Sequence, residues 1–269
     1  MAPRKLRLVN PIQFCFLGLW SVIWISVALV LSIFSRHLPL ALARRVWAPP
    51  LVWAAQARMQ VDYAAPIDPG TPYVYIMNHQ SMLDIAIAFT YLPSNLHFVA
   101  KHVLAFVPFL GWYMWRTGMI FVDRANRKQA LAGLQRAGRK VREGSCILAY
   151  PEGTRSRDGR ILPFKKGPFV VAIESGVPIV PVVVHGSGDI LPAGTPCLMP
   201  SVVRLSVGEP IPTAGLGQAQ LEDLIKQVRD AMIDLHVAAG GPGGDKEAAI
   251  ALPGKEGIGR PLRQKARAA

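Results

Sequence analysis

Two side chains able to do proton chemistry stand five apart in the stretch Asn78-His79-Gln80-Ser81-Met82-Leu83-Asp84. A carboxylate on one ring nitrogen of an imidazole fixes the tautomer and leaves the other nitrogen free as a general base. The spacing decides where the histidine must sit. Five residues of ideal helix turn by about 140°, so the two side chains would not share a helical face. A His79 on the turn before a helix that carries Asp84 escapes this, because the ring then folds back onto the carboxylate. Six histidines, with about one residue in 27 an aspartate, give roughly 0.2 such pairs by chance, so the pair needs support from elsewhere in the chain.

That support comes from residues that follow β-type runs. Lys101 comes just after the short run 97–100, and Arg124 ends the run 118–124. Glu152, Gly153, Thr154 and Arg155 follow the apolar run 146–150. Strand ends aligned on one edge would bring these groups into one cleft. Arg155 would then hold a phosphate by its fork and Lys101 as a point charge. Gly153 would let the backbone come close to a ligand. The histidine and carboxylates lack metal-ligand spacing and the cations already supply positive charge, so no metal and no other cofactor is expected. The chemistry that suits this set is acyl transfer to an alcohol on a phosphate-bearing lipid. A thioester is already activated, so the alcohol needs chiefly proton removal, about 10²–10⁴-fold from a positioned base, and orientation by its phosphate. Ser81 leaves a covalent route open, with helix capping as its alternative task. Backbone amides near Gly153 are candidates to hold an oxyanion.

The elements that must position these residues read as alternating strands and helices. Residues 73–77 are β-prone, and an apolar helical run from about residue 82 to 91 ends at Pro93-Ser94-Asn95. Residues 126–143 form a helix with an apolar stripe and a strongly basic remainder, and residues 220–236 an amphipathic helix. Residues 104–115 are apolar and aromatic, either core or the border of a lipid-facing or acyl-binding wall. Pro178 and Pro181 make the run 177–184 an edge strand or one entered at Pro181. The fold class is α/β, a central mixed β-sheet flanked by helices, whose ligands belong at the carboxyl ends of strands.

Residues 12–35 carry no charge and are long enough for a membrane-embedded helix. Residues 46–57 are apolar again but broken by Pro49-Pro50. Basic residues flank the first run on both sides, so a hairpin in one leaflet and a single span both fit. A cleaved signal peptide does not, because the apolar stretch is too long and the small-residue triplet 41–43 lies beyond it. The chain divides into membrane-anchoring helices (1–57), an α/β domain (58–237) and a flexible basic tail (238–269). Its 51% hydrophobic content, net charge of +13 and mean hydropathy of +0.28 point to an anionic bilayer surface or anionic substrates. Nucleic acid is not an expected partner, since the basic residues are scattered and form no recognition motif. Cys15, Cys146 and Cys197 have no metal or pairing pattern.

Residues 78–84, 118–124, 150–156 and 177–181 resemble, in this order, the four sequence blocks of the 1-acyl-glycerol-3-phosphate acyltransferase family. The resemblance covers roughly residues 73–186. It implies the glycerolipid acyltransferase fold, with His79 as base and Asp84 as its orienting partner. It further implies that Glu152, Gly153, Thr154 and Arg155 serve the acceptor, Arg155 at its phosphate, together with Lys101 and Arg124. The implied partners are an acyl-carrier-protein or coenzyme A thioester, a lysophospholipid acceptor and the lipid bilayer, with an N-terminal two-helix element in the inner leaflet. The implied place is the inner membrane, active site on the cytoplasmic side, and the implied product is phosphatidate. Acylation of another lysolipid, such as a lyso-ornithine lipid, and non-catalytic binding of anionic lipid are the competing readings. The intact His79–Asp84 pair speaks against the second, since lipid binding alone has no use for a positioned base.

Overall fold

The computed structural model describes residues 8–35, 37–123, 127–192, 194–195 and 197–251, with backbone alone for 127–131. The chain opens with α1 (Asn10–Leu31), then α2 (Leu38–Leu42), a π-helical turn (Ala43–Trp47) and α3 (Ala48–Ala54). Pro11 stands in the first turn of α1, where a missing N–H costs nothing. Strands β1 (Ala57–Tyr63) and β2 (Val74–Met77) follow, then α4 (Leu83–Tyr91), β3 (Leu96–Lys101) and a 3₁₀ turn (His102–Phe106). The helix α4 stops where Leu92 turns extended ahead of Pro93. Next come α5 (Leu110–Arg116), β4 (Ile120–Val122), α6 (Arg127–Arg142) and β5 (Cys146–Ala149). The chain continues through α7 (Gly167–Ser175), β6 (Ile179–His185), α8 (Ser187–Ile190), β7 (Ser201–Val207) and α9 (Leu221–Ala238).

Among the described residues the strands form one seven-stranded mixed sheet in the order β1-β7-β6-β2-β5-β3-β4. The five strands from β6 to β4 run parallel, and β7 joins β6 antiparallel with β1 parallel beyond it. The sheet therefore presents the carboxyl ends of β6, β2, β5, β3 and β4 along one edge. Strand alternation sorts the core into two layers. Tyr75 and Met77 of β2 pack with residues of α2 to α5, whereas Val74 and Ile76 pack with α6, α7 and α9. The apolar cluster on the first face is continuous from α1–α3 into the sheet.

One expectation is overturned here. The run with two prolines is not an edge strand: β6 begins at Ile179 and lies between β7 and β2. Pro181 is tolerated because its carbonyl, which shares a side with its missing N–H, accepts from Gly208 N–H just past the last β7 residue. No ladder donor is lost there. Residues 239–251, which fall in the stretch read as tail, run along the domain. They form bridges Ile161–Gly244 and Phe164–Ile250.

Candidate active site

His79 sits on the turn between β2 and α4, and Asp84 in the first turn of α4, as the spacing requires. Asp84 is fully buried and His79 keeps 14% of its side chain exposed. The Nδ1 of His79 lies 2.7 Å from Asp84 Oδ2, and the same oxygen accepts the backbone N–H of Gln80 at 2.7 Å and of Ser81 at 2.8 Å. Two backbone N–H groups already donate to this oxygen, so it faces the ring as an acceptor, Nδ1 is the donor and Nε2 is the nitrogen left to act as a base. Ser81 is occupied: its hydroxyl accepts from Leu83 N–H at 3.2 Å and donates to the Leu191 carbonyl at 2.9 Å. That makes it a cap of the turn and satisfies the hydroxyl, which the covalent route would need free.

The turn is tied to its neighbours on both sides. Asn78 reaches across to β6, donating to the Val184 carbonyl at 2.9 Å and accepting Val184 N–H at 2.7 Å. The loop after β5 joins through Ser156 N–H, which donates to the His79 carbonyl at 2.7 Å. Tyr150 stacks on the His79 ring with centroids 4.1 Å apart and planes 18° apart. Burial, and then the charge of Asp84, push the Tyr150 phenol well up, so it stays a neutral aromatic face.

Of the other expected residues, Glu152 and Gly153 lie beside the dyad as structural parts of the loop. Glu152 is buried, and burial pushes its carboxyl well above the usual range. The N–H groups of Leu162 and His79 and the charge of Arg229 pull the other way, while Asp84 adds to the rise. Gly153 has φ +74°, the left-handed region that favours glycine, and its N–H donates to the Tyr150 carbonyl at 3.2 Å, so that amide is already engaged. Thr154 is exposed and Arg155 half-buried at the tip. Among the described residues the Arg155 guanidinium makes no hydrogen bond or ion pair.

Lys101 stands further off. Tyr75 of β2 pairs with Leu148 of β5, and Leu148 with Phe98 of β3, so Lys101 is level with Asn78 but two strands away, roughly 10 Å. Leu96, Phe98 and Ala100 pack on the first face of the sheet and Val99 on the second, so alternation sends Lys101 toward the α6 side. It is exposed at the strand end. Arg124 lies outside the described residues. Also among the described residues, no group of three His, Cys, Asp or Glu side chains is placed to hold a metal ion.

Three positions that bear on the site were not singled out from sequence. Tyr150 ends the apolar run 146–150 and opens the block 150–156, where the resemblance assigns it no role of its own. Gln80 carries its amide to the Gly159 carbonyl at 3.1 Å and to Nε2 of His236 at 3.4 Å, and His236 packs against His185 with ring centroids 5.2 Å apart. Arg229, fully buried on α9, donates to the carbonyls of Ile161, Leu162 and Asp245, clamping the loop that backs Glu152. A signal for Arg229 did exist: it follows Val228 and stands four residues after Ile225, inside the apolar stripe of α9 where a charge is out of place.

A His–Asp pair with a buried aspartate at the carboxyl end of a parallel-sheet strand, beside a loop whose arginine has no partner among the described residues, defines the class. The family model named Acyltransferase matches residues 58–185. The chain belongs to the 1-acyl-sn-glycerol-3-phosphate acyltransferase family. Human 1-acyl-sn-glycerol-3-phosphate acyltransferase alpha is 31% identical over 70% of this chain and 67% of its own length. The Saccharomyces cerevisiae 1-acyl-sn-glycerol-3-phosphate acyltransferase is 36% identical over 61% of this chain and 55% of its own length. The chloroplastic enzyme BAT2 of Brassica napus is 38% identical over 52% and 41%. This chain thus spans about half the length of several of these relatives. The crystal structure of the 1-acyl-sn-glycerophosphate acyltransferase PlsC from Thermotoga maritima superposes with a TM-score of 0.70 at 25% identity. The match covers 84% of this chain and 95% of that one.

Proposed function

We propose that this chain transfers a fatty acyl group from an acyl-carrier-protein or coenzyme A thioester to the sn-2 hydroxyl of lysophosphatidate, giving phosphatidate. The observation that carries the proposal is the 2.7 Å contact between His79 Nδ1 and Asp84, which leaves Nε2 as the available base on a partly exposed ring. His79 Nε2 takes the hydroxyl proton as the acceptor oxygen attacks the thioester carbonyl carbon. The C–O bond forms, the C–S bond breaks, and the proton passes from His79 to the leaving thiolate. Asp84 stabilises the imidazolium formed in between, and the Tyr150 face lies against that cation. Arg155 pairs with the acceptor phosphate, with Thr154 beside it. Lys101 and Arg124 add positive charge on the acceptor side, while Glu152 and Gly153 shape the loop that presents Arg155.

The proposed place is the cytoplasmic face of the inner membrane, with α1 lying in one leaflet rather than crossing it. What supports this is that α1 is held to the domain at both ends. Asn10 donates to the Leu198 carbonyl at 2.8 Å and Gln13 to the Ala54 carbonyl at 2.8 Å. At the other end Arg116 donates to the Ser32 carbonyl at 2.5 Å. A helix of 22 residues is about 33 Å long, the thickness of the hydrocarbon core, so a spanning α1 would carry one end a bilayer away from the domain.

Purified protein in detergent, given either thioester and a panel of lysolipids, tests the reaction. Acylation of lysophosphatidate by the wild type and its loss in His79→Ala are expected. Equal rates for the two proteins would remove the dyad mechanism. Preference for a lysolipid without a phosphate would move the acceptor to another class.

A further inference from the structure

The lobe between β3 and β4 leaves large apolar side chains in water. Val103, Phe106, Val107, Phe109, Trp112 and Trp115 are between 40% and 74% exposed. They come from one short turn, one short helix packed against it and the link between the two, and Phe109 lies 5.5 Å from Trp112, ring centroid to centroid. This is a contiguous patch of the kind soluble surfaces avoid.

The lobe is built to hold these residues outward. On its inner side, Gly111, Tyr113 and Met114 of α5 are buried. The 3₁₀ turn closes so tightly on α5 that a side chain at Gly111 would sit 2.2 Å from the Ala105 carbonyl oxygen. Phe109 has φ +62°, a strained value for a non-glycine residue, and it persists only where the surroundings over-determine it.

We infer that the turn 102–106 and α5 form a second membrane-contact element, seated in the interfacial zone of an anionic phospholipid bilayer beside α1. This rests on the reading of α1 as a helix in one leaflet. Two observations select a bilayer as the occupant. The first is continuity. Arg116 at the end of α5 bonds the carbonyl and hydroxyl of Ser32 at the end of α1. The aromatic patch is thereby fixed beside the exposed apolar residues Val30, Ile33 and Phe34. The second is charge. Trp112 and Trp115 share a cleft of about 670 Å³ with Arg136 and Lys140, and among the described residues Asp123 is the one carboxylate on its border. Tryptophan at the headgroup level with arginine or lysine reaching phosphates is the pattern of interfacial anchoring.

The test places an environment-sensitive nitrobenzoxadiazole label on single cysteines in the full chain, with Cys15, Cys146 and Cys197 replaced by alanine. The sites are Phe106→Cys and Trp115→Cys on the lobe, Val22→Cys on α1 and Gln227→Cys on α9 as the aqueous control. Phosphatidylglycerol–phosphatidylcholine vesicles are then added. Labels at 106 and 115 are expected to shift to the blue and to resist dithionite, as at 22, while 227 stays aqueous. Labels at 106 and 115 that behave like 227 while 22 is protected overturn the inference and leave the α1 reading intact. If 22 is also unprotected, both fall. A shift without vesicles that grows with protein concentration assigns the patch to a second copy. A shift only on adding acyl-carrier protein assigns it to the donor, and either result overturns the inference. Should the cysteine-free chain fail to fold, lipids brominated in the upper acyl chain give the same answer. They are expected to cause a smaller absolute loss of tryptophan emission once Trp112→Phe and Trp115→Phe are introduced, and a loss of unchanged size overturns the inference.

Discussion

The edge of the sheet that carries the chemistry has two unlike halves. Around β2, the groups that aim the dyad are fixed. Asp84 Oδ2 takes three donors, Asn78 is bonded twice to β6, Ser156 holds the His79 carbonyl, and Gln80 is wedged against Gly159 and His236. In the other half, Arg155 on the loop after β5 and Lys101 at the end of β3 have no protein partner among the described residues. The described lysine–carboxylate pairs lie elsewhere, Lys166 with Glu222 and Lys246 with Asp234. A base must be aimed before substrate arrives, because misplacement in the transition state costs rate directly. A phosphate-binding cation gains by waiting unpaired, since a resident carboxylate would have to be displaced first. The comparison predicts that changes in the fixed half act on turnover and changes in the open half on acceptor choice.

The largest effect belongs to the base. His79→Ala should lower kcat about 10²–10⁴-fold with little change in the KM for acceptor. A fall confined to KM would contradict the division between the halves. Within the same half, Tyr150→Phe keeps the stacked face and should retain near-normal turnover. Tyr150→Leu removes the face and should lower kcat about 5-fold, the scale of a cation–π contact, because the imidazolium formed during transfer loses its stabilising π-surface. Unchanged turnover in Tyr150→Leu would reduce the ring to packing alone.

Acid offers a second way to loosen the fixed half. His97 and His236 are both pushed down to about 4, first by burial, then by Lys140 and His185 respectively. In the unfolded chain a histidine takes up its proton near pH 6.5, so between about 6.5 and 4 the unfolded state binds more protons and stability falls as the pH drops. Each ring can contribute a loss on the order of 3 kcal/mol across that window. Thermal unfolding followed from pH 7 to pH 4 should show the decline, and His236→Gln should make it shallower. A variant as acid-sensitive as the wild type would remove His236, and with it the Gln80 contact, as the cause.

How much of this was legible in the sequence follows the same division between local and distant contacts. The His79 turn could be read because its constraint is five residues long: a spacing that fails on a helix forces the histidine off it. The alternation of strands and helices was likewise carried by local periodicity. What escaped depends on residues far apart. Tyr150 meets His79, and Gln80 meets His236 across 156 residues, through sheet order that no local pattern encodes. Pro178 and Pro181 pointed to an edge strand or to one entered at Pro181, because the rule they invoke concerns a missing donor. The strand instead places that gap just beyond its neighbour's end, next to Gly208. Residues 239–251 looked like tail by composition, yet bridges to Ile161 and Phe164 and the Arg229–Asp245 contact hold them on the domain.

Arg155→Ala should reduce kcat/KM for lysophosphatidate by about 10–100-fold, the scale of a charge-assisted hydrogen bond, and leave an acceptor without a headgroup phosphate almost unaffected. Arg155→Lys should recover part of the loss, since it keeps the charge and forfeits the fork. Equal losses on both acceptors would mean that Arg155 supports the loop, as Glu152 and Gly153 do, and the open half would shrink to Lys101.

The smallest expected effect sharpens the comparison most. Lys101 is level with Asn78, but two strands away, exposed, and sent by alternation to the α6 side. A contact across roughly 10 Å of water-accessible edge is a long-range attraction, screened by salt over about one Debye length. Lys101→Ala should therefore cost only a few-fold in kcat/KM, and the deficit should fade as ionic strength rises toward 0.5 M. The Arg155→Ala deficit should persist, because a direct fork on a phosphate is less easily screened. If Lys101→Ala matched Arg155→Ala in size and salt resistance, its ammonium would be reaching the phosphate directly. The acceptor would then lie across β5 toward β3, not at the tip of the loop that carries Arg155.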